Sequence, residues 1–444
     1  MSVEILHSLR EKEPLVYVPM VADFIHHGHI NIINTARELG TVVVGLMTDR
    51  SACQYKRLPT LPFEDRKKIV ENLSGVDFIV PQDEPDYVGM IRQIKPKFFV
   101  HGTDWQSGVQ KISRERVIQT MSEWGGLVVE PEYTNGISST EINNRLKQLG
   151  TTSDVRRFRL KRLLSAKNVL RGMEAHSGIT GLIIENVSIE KEDRNVEFDF
   201  MWLSSLTDST AKGKPDTELV DPTSRYQTLH DILDVTTKPI IFDGDTGGQI
   251  DHFKYLVRTL ERLGVSAVII EDKNGLKKNS LLGNDVLQTQ ESIDKFCQKI
   301  QMGKSSQVTE EFMIIARIES LILEKGVEDA ILRAKEYIEA GADGIMIHSR
   351  RKEPDEIREF CLIYNNLPNR VPLVAVPSTY DSVTESELGM MGVNIVIYAN
   401  QLLRAAYPAM IRVAESILTH GRAADSVAEM MPIREILNLV PGTN

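Results

Sequence analysis

Two stretches of this chain are dense enough in reactive side chains to organise the rest. The first, residues 271–280, reads Glu-Asp-Lys-Asn-Gly-Leu-Lys-Lys-Asn-Ser and follows the apolar, β-branched run Val265 to Ile270 directly. Two acids and three lysines around a glycine make a polar loop, which by itself reads as a solvated turn before it reads as a lid over an anionic substrate. The second stretch is Ala22 to His29, where His26, His27 and His29 surround Gly28. Glycine lets a backbone approach a ligand closely, and the free amides of a helix start favour an anion. Imidazoles beside that point can donate to the charge that builds on a phosphate under attack. No cysteine or spaced carboxylate nearby completes a coordination set, so phosphate is the better reading than metal.

Placing these groups requires strands. Eight apolar runs recur in the second part of the chain: Val169 to Met173, Phe198 to Trp202, Pro239 to Phe242, Ala267 to Ile270, Phe312 to Ala316, Gly344 to Ile347, Pro372 to Val376 and Asn394 to Tyr398. With helical stretches between them they predict a (β/α)8 barrel. Gly181 to Ile184 is left out, because one more strand there leaves no room for the first crossover helix. Polar groups end every run: Glu174 and His176, Ser204 and Ser205, Asp243 and Asp245, Glu271, Arg317 and Glu319, His348, Ser378, and Asn400. In a parallel barrel those ends converge on one face. Asp243, Asp245 and Glu271 are hard oxygen donors without clustered Cys or His, which points to magnesium held largely through water.

The first part of the chain carries a βαβ pattern, with strands at Leu15 to Pro19 and Thr41 to Met47 and a helix from Ile30 to Leu39. That pattern implies a parallel, Rossmann-like sheet in an α/β protein. Weaker motifs follow in order: Lys56-Arg57, Pro62 to Arg66, Phe98 to Trp105, and Tyr133 to Thr140 ahead of Glu141. Ser139 or Thr140 could cap a last helix and make a second anion-binding start. Apolar periodicity is lost between Lys147 and Asp154, so the expected organisation is a first domain over 1–148, a linker over 149–155 and the barrel over 156–444.

Composition narrows the function. The 444 residues have a formal net charge of −10, which argues against a nucleic-acid-wrapping surface. No stretch approaches the ~18 unbroken apolar residues of a membrane span. The first ten residues have an early acid and no cleavage site after an apolar core, so a signal peptide is not expected. Cys53, Cys297 and Cys361 are far apart and predict no disulfide framework and no zinc site, in keeping with a reducing cytoplasm.

In their order, the motifs of residues 14–145 resemble the HxGH nucleotidyltransferases of the cytidylyltransferase branch. The resemblance implies that His26 and His29, with Gly28 between them, and Lys56 hold a triphosphate. Gly136, Ile137, Ser138 and Ser139 then form the supporting segment. Tyr133 stands where that family has an arginine, which removes one phosphate donor. From about 156 to 440, the segment Glu-Asp-Lys-x-x-x-Lys-x-Asn-Ser, Asp-Gly-Asp-Thr-Gly at 243–247 and Ala-Arg-Ile-Glu at 316–319 look like the phosphoenolpyruvate mutases of the isocitrate lyase superfamily. The lyases of that superfamily carry a cysteine in the equivalent loop, and none lies near 271–280.

The resemblance implies a barrel with a helix exchanged between subunits, in a dimer or tetramer, that isomerises phosphoenolpyruvate to phosphonopyruvate. Asp243, Asp245 and Glu271 would support magnesium. Arg317 and the amides near Ser204 and Ser205, beside Trp202, would hold the substrate carboxylate. Lys277, Asn279 and His348 would attend the phosphoryl group, with Asp216 as nucleophile or phosphoryl stabiliser. The first domain would transfer CMP from CTP to a phosphonate. A phosphonopyruvate hydrolase barrel, or a first domain that binds nucleotide without turnover, are the alternatives.

Overall fold

Strand β1, Leu15–Met20, is buried along its whole length. Leu15 and Tyr17 face one apolar cluster, while Val16, Val18 and Met20 face another. The two-residue period of a strand therefore serves two cores, which requires helices on both faces of the sheet. β2 (Thr41–Met47) divides in the same way, with Val43 and Met47 on one side and Val42, Val44 and Leu46 on the other. With β3 (Phe78–Gln82), β4 (Phe98–Val100) and β5 (Leu127–Val129) they form a parallel sheet of order β3-β2-β1-β4-β5. The order reverses between β1 and β4, and ligands of doubly wound sheets bind outside the strand ends at such a reversal.

The structure, a computed structural model, describes residues 9, 12, 14–54, 57–106, 110–132, 151–191, 194–275 and 277–440. Lys56, Tyr133, Gly136, Ile137, Ser138 and Ser139 of the expected triphosphate site lie outside them. The chain divides into two compact units, the first running to Leu146 with residues 165–167 and the hairpin Ser188–Glu197, the second holding the rest.

The second unit is a closed parallel barrel of eight strands in sequential order: β6 (Leu170–Glu174), β7 (Phe200–Leu203), β8 (Ile240–Asp243), β9 (Ala267–Glu271), β10 (Met313–Ile318), β11 (Gly344–Ile347), β12 (Leu373–Ala375) and β13 (Ile395–Tyr398). β13 pairs back onto β6, so no edge remains. The eight expected runs are these strands, and Gly181 to Ile184, left out of the set, lies in a helix. The helix before the barrel, Ser153–Ala166, starts inside the segment assigned as linker. Thr152 Oγ1 accepts from the amide of Val155 at 3.5 Å and Asp154 pairs with Arg157, so the polar residues that looked like loop are a helix start.

Between strands and outer helices the core is continuous. In the helix Ile250–Leu263, Phe253, Val257 and Leu260 lie at helical spacing against Val268 and Ile270 of β9. That helix stops at Gly264, whose φ of 83° is left-handed and where a Cβ would lie 2.6 Å from Ser153. The last long helix, Gln401–His420, buries none of its residues in the single chain, and leaves Tyr407 65%, Met410 60% and Leu418 85% exposed. Among the described residues no helix is long and apolar enough to cross a membrane.

Candidate active site

Asp243, the last residue of β8, is held by three hydrogen bonds at the barrel mouth. Its Oδ2 accepts from the amide and hydroxyl of Ser205 at 3.1 and 2.7 Å, and its Oδ1 from the amide of Asp245 at 3.2 Å. The turn after β8 is sharp enough to place Asp245 at φ 51°, a conformation that costs a non-glycine residue on the order of 1 kcal/mol or more. Arg225 offsets this strain from the helix Pro222–Leu233. Its Nη1 donates to the Asp243 carbonyl at 2.6 Å and to Asp245 Oδ2 at 3.0 Å, and its guanidinium lies 4.2 Å from the Phe242 ring centre.

Lys277 enters this cluster from the loop after β9. Its ammonium donates to Ser205 Oγ and Asp245 Oδ1, and lies 3.1 Å from Asp216 and 3.9 Å from Asp243. Burial works against its charge, but Asp243, Asp245 and Asp216 outweigh that and raise its pKa. Asp243 shows the converse. Burial pushes it up, and Lys277, Arg225 and Arg317 together bring it well below the ordinary carboxylate range. Asn279 Nδ2 donates to Asp216 Oδ2 at 3.2 Å, so the loop meets Asp216 with two side chains.

A second group lies across the mouth. Arg317 Nε donates to Glu319 Oε1 at 2.6 Å, and its Nη2 to Ser280 Oγ at 2.5 Å. Glu319 is opposed by burial but held down to about 2 by Arg317 and Lys273. Glu271 has nearly the same cations near it, Lys273 at 3.2 Å and Arg317 at 3.4 Å, yet burial pushes it up to about 7. The charge of Glu319 adds to that push, and both Glu271 oxygens are buried without a hydrogen-bond donor, whereas Glu319 receives Arg317 and Ser280. Burial, then the charge of Arg317, lowers His348 to about 3, so its imidazole is neutral at physiological pH.

Trp202, Ser204, Ser205, Asp216, Asp243, Lys277, Asn279, Arg317 and His348 line one cavity, as do Ser378 and Asn400. Asp245 and Glu271 stand behind its wall, reached through Lys277 and through Arg317. Of the amides near Ser204 and Ser205, that of Ser204 donates to the Trp202 carbonyl at 3.1 Å and that of Ser205 to Asp243, while the next residue, Leu206, also lines the cavity. His348 Nδ1 is buried on this cavity with no hydrogen-bond partner, which is where a ligand's polar atom would be satisfied, whereas Asp216 Oδ1 is ion-paired with Lys277.

Among the described residues no three acids or imidazoles are close enough to cage a metal ion directly. The donor set still suits a hard dication held partly through water. It is all oxygen, Asp216, Asp243 and Asp245 outnumber Lys277 and Arg225, and Glu271 offers two oxygens that lack donors.

In the first unit, the helix expected from Ile30 begins at His27, because the histidines themselves cap it. His26 Nδ1 accepts from the Gly28 amide at 3.2 Å, and His29 Nδ1 from the His26 amide at 3.4 Å. The Gly28 amide is thus engaged rather than free. A ring that accepts at Nδ1 carries its hydrogen on Nε2, so both neutral imidazoles become Nε2 donors. Burial, then His27, lowers the pKa of His26. His101 leaves the neighbouring strand β4 on the other side of the strand-order reversal, stacked on Trp105 at 4.2 Å.

Arg225 and Lys273 were not identified from sequence as site residues. A lone arginine in an amphipathic helix carries no signal, and Lys273 sits in a motif beside two other lysines.

Residues 160–418 match the phosphoenolpyruvate phosphomutase family and residues 21–145 a cytidylyltransferase-like family. The phosphoenolpyruvate phosphomutase of Tetrahymena pyriformis is 34% identical over 281 residues, which are 63% of this chain and 89% of that protein. The solved phosphoenolpyruvate phosphomutase from Streptomyces platensis subsp. rosaceus superposes with a TM-score of 0.58 at 32% identity, covering 63% of this chain and 93% of that one. A phosphonopyruvate hydrolase solved with oxalate and Mg++ gives 0.57 at 30% identity, covering 65% and 95%. With more than half its length matched and a closed parallel barrel to carry the match, the chain belongs to the phosphoenolpyruvate phosphomutase family.

Proposed function

We propose that the barrel isomerises phosphoenolpyruvate to phosphonopyruvate, and that the first unit transfers CMP from CTP to a phosphonate such as 2-hydroxyethylphosphonate or 2-aminoethylphosphonate. The observation that carries the barrel reading is the buried, unpartnered His348 Nδ1 facing the same cavity as Asp216, which Lys277 and Asn279 hold from the loop. The isomerisation breaks the bond from phosphorus to the enol oxygen and makes one from phosphorus to the methylene carbon of the same molecule. No proton is gained or lost, so a neutral His348 and a fully charged Lys277 suit it better than groups that titrate near neutrality.

In this reading Arg317 holds the substrate carboxylate, and His348 and Asn279 donate to the phosphoryl oxygens. Asp216, kept in place by Lys277 and Asn279, faces the migrating phosphorus. The loose phosphoryl group must be kept from water, and the loop that buries Lys277 to 4% exposure is the element placed to do so. Magnesium would be held by Asp243, with Asp245 and Glu271 acting through water, and would supply positive charge to the enolate oxygen. Phosphorus NMR of phosphonopyruvate incubated with the protein and magnesium is expected to show phosphoenolpyruvate. Free phosphate as the main product would assign the barrel to hydrolysis instead.

The uncovered face of Gln401–His420 is best explained by a second copy of the chain, in a dimer or tetramer. Light scattering should give a mass at least twice that of the chain, and Met410→Asp with Leu418→Asp should halve it; a monomeric wild type would refute the assembly. The three cysteines remain thiols, consistent with a cytoplasmic enzyme.

A further inference from the structure

Lys273 is only 4% exposed, and the chemistry described above leaves its ammonium without a role. An ammonium has three N–H bonds, and this one finds three acceptors: the Lys278 carbonyl at 2.7 Å, Ser280 Oγ at 2.9 Å and Gln288 Oε1 at 3.1 Å. All three belong to the segment that carries Lys277 and Asn279 into the cavity. Gln288 Nε2 donates in turn to the Gly283 carbonyl at 2.6 Å, so one buried charge reaches both ends and the middle of residues 278–288. The lysine itself is held rigidly. Lys273 pairs with Gln290 across a short antiparallel bridge, Gln290 donates to Asp272 at 2.8 Å, and Glu271 and Glu319 supply counter-charge at 3.2 and 3.6 Å.

We propose that Lys273 is a positioning residue that holds the 277–288 segment down over the barrel mouth, and thereby sets how completely water is kept from the reacting group. The water-exclusion part rests on the mutase reading; the hold on the segment does not. Without the ammonium, Lys278, Ser280 and Gln288 lose a shared donor, and Lys277 and Asn279 are no longer pressed onto Asp216.

The test compares wild type, Lys273→Met and Gln288→Leu in the full chain, with circular dichroism to establish folding. Gln288→Leu leaves the ion pairs of Lys273 intact, so it decides the matter if Lys273→Met does not fold. Two readouts are taken: the ratio of free phosphate to phosphoenolpyruvate formed from phosphonopyruvate, and the rate of tryptic cleavage after Lys278. Both should rise roughly ten- to a hundred-fold in Lys273→Met, the range for lost charge-assisted hydrogen bonds, and less in Gln288→Leu. Folded variants with the wild-type product ratio and cleavage rate would overturn the proposal. Should the wild type form phosphate alone, the mutase reading fails, and the cleavage rates still decide whether Lys273 holds the segment.

Discussion

Replacing Lys277 with alanine is expected to reduce mutase turnover by about a thousand-fold or more, while CTP-dependent release of pyrophosphate continues at the wild-type rate. The ammonium contacts Ser205 and Asp245 and is 3.1 Å from Asp216, so its removal leaves Asp245 to Arg225 and Asp216 to the Asn279 amide alone, with the carboxylates mutually repelling. Uncompensated buried charge costs ~3–5 kcal/mol, so the variant should also melt at a lower temperature. Magnesium should restore more of that loss than it adds to the wild type, because it supplies positive charge to the same carboxylates. Both activities can be followed in one sample, phosphorus NMR for the first and pyrophosphate detection for the second. Loss of both in a folded protein, or mutase turnover that survives, would contradict the assignment.

His29→Ala is expected to reduce pyrophosphate release by about a hundred- to a thousand-fold and to leave the barrel reaction unchanged. His29 accepts the His26 amide through Nδ1, so the substitution also removes half of a reciprocal helix cap, at a cost of ~1 kcal/mol. His29→Gln separates the two roles. Glutamine at this third helical position can still accept the His26 amide, and it replaces the imidazole by a neutral amide whose NH2 can donate but cannot take up a proton. If His29→Gln matches the alanine variant in rate and the wild type in melting temperature, the imidazole acts on the triphosphate. If it releases pyrophosphate as the wild type does, the reaction needs no imidazole at position 29.

Much of this was legible in the chain because two periodicities and one set of strand ends are local properties. β-branched runs such as Val265 to Ile270 and Gly344 to Ile347 have no other stable place than a strand covered on both faces, and the eight of them were sufficient to call the barrel. Because parallel strands end on one face, the convergence of Ser205, Asp243, Arg317 and His348 followed from their positions alone. Two local details were not legible. The amides of Ser204 and Ser205 are engaged by Trp202 and Asp243, and the Gly28 amide by His26, because a buried donor takes the nearest acceptor and sequence does not say which one is near.

The segment from Glu271 to Ser280 divides the two kinds of knowledge most clearly. By itself the sequence determined that a charged loop follows a buried strand at the mouth of a barrel, with Glu271 at the strand's end. Its lysines at 273, 277 and 278 are chemically identical, and nothing in their spacing ranks them. Only the tertiary structure decided that Lys277 meets the carboxylates of Asp216 and Asp245, that Lys273 turns under the loop to bind Lys278, Ser280 and Gln288, and that Lys278 contributes its carbonyl. The reason is physical: a lysine's direction in a loop is set by the acceptors it can reach, and those of Lys277 come from the turn after β8 and the loop holding Asp216, both distant in sequence until the barrel closes, whereas those of Lys273 come from the fold of its own loop.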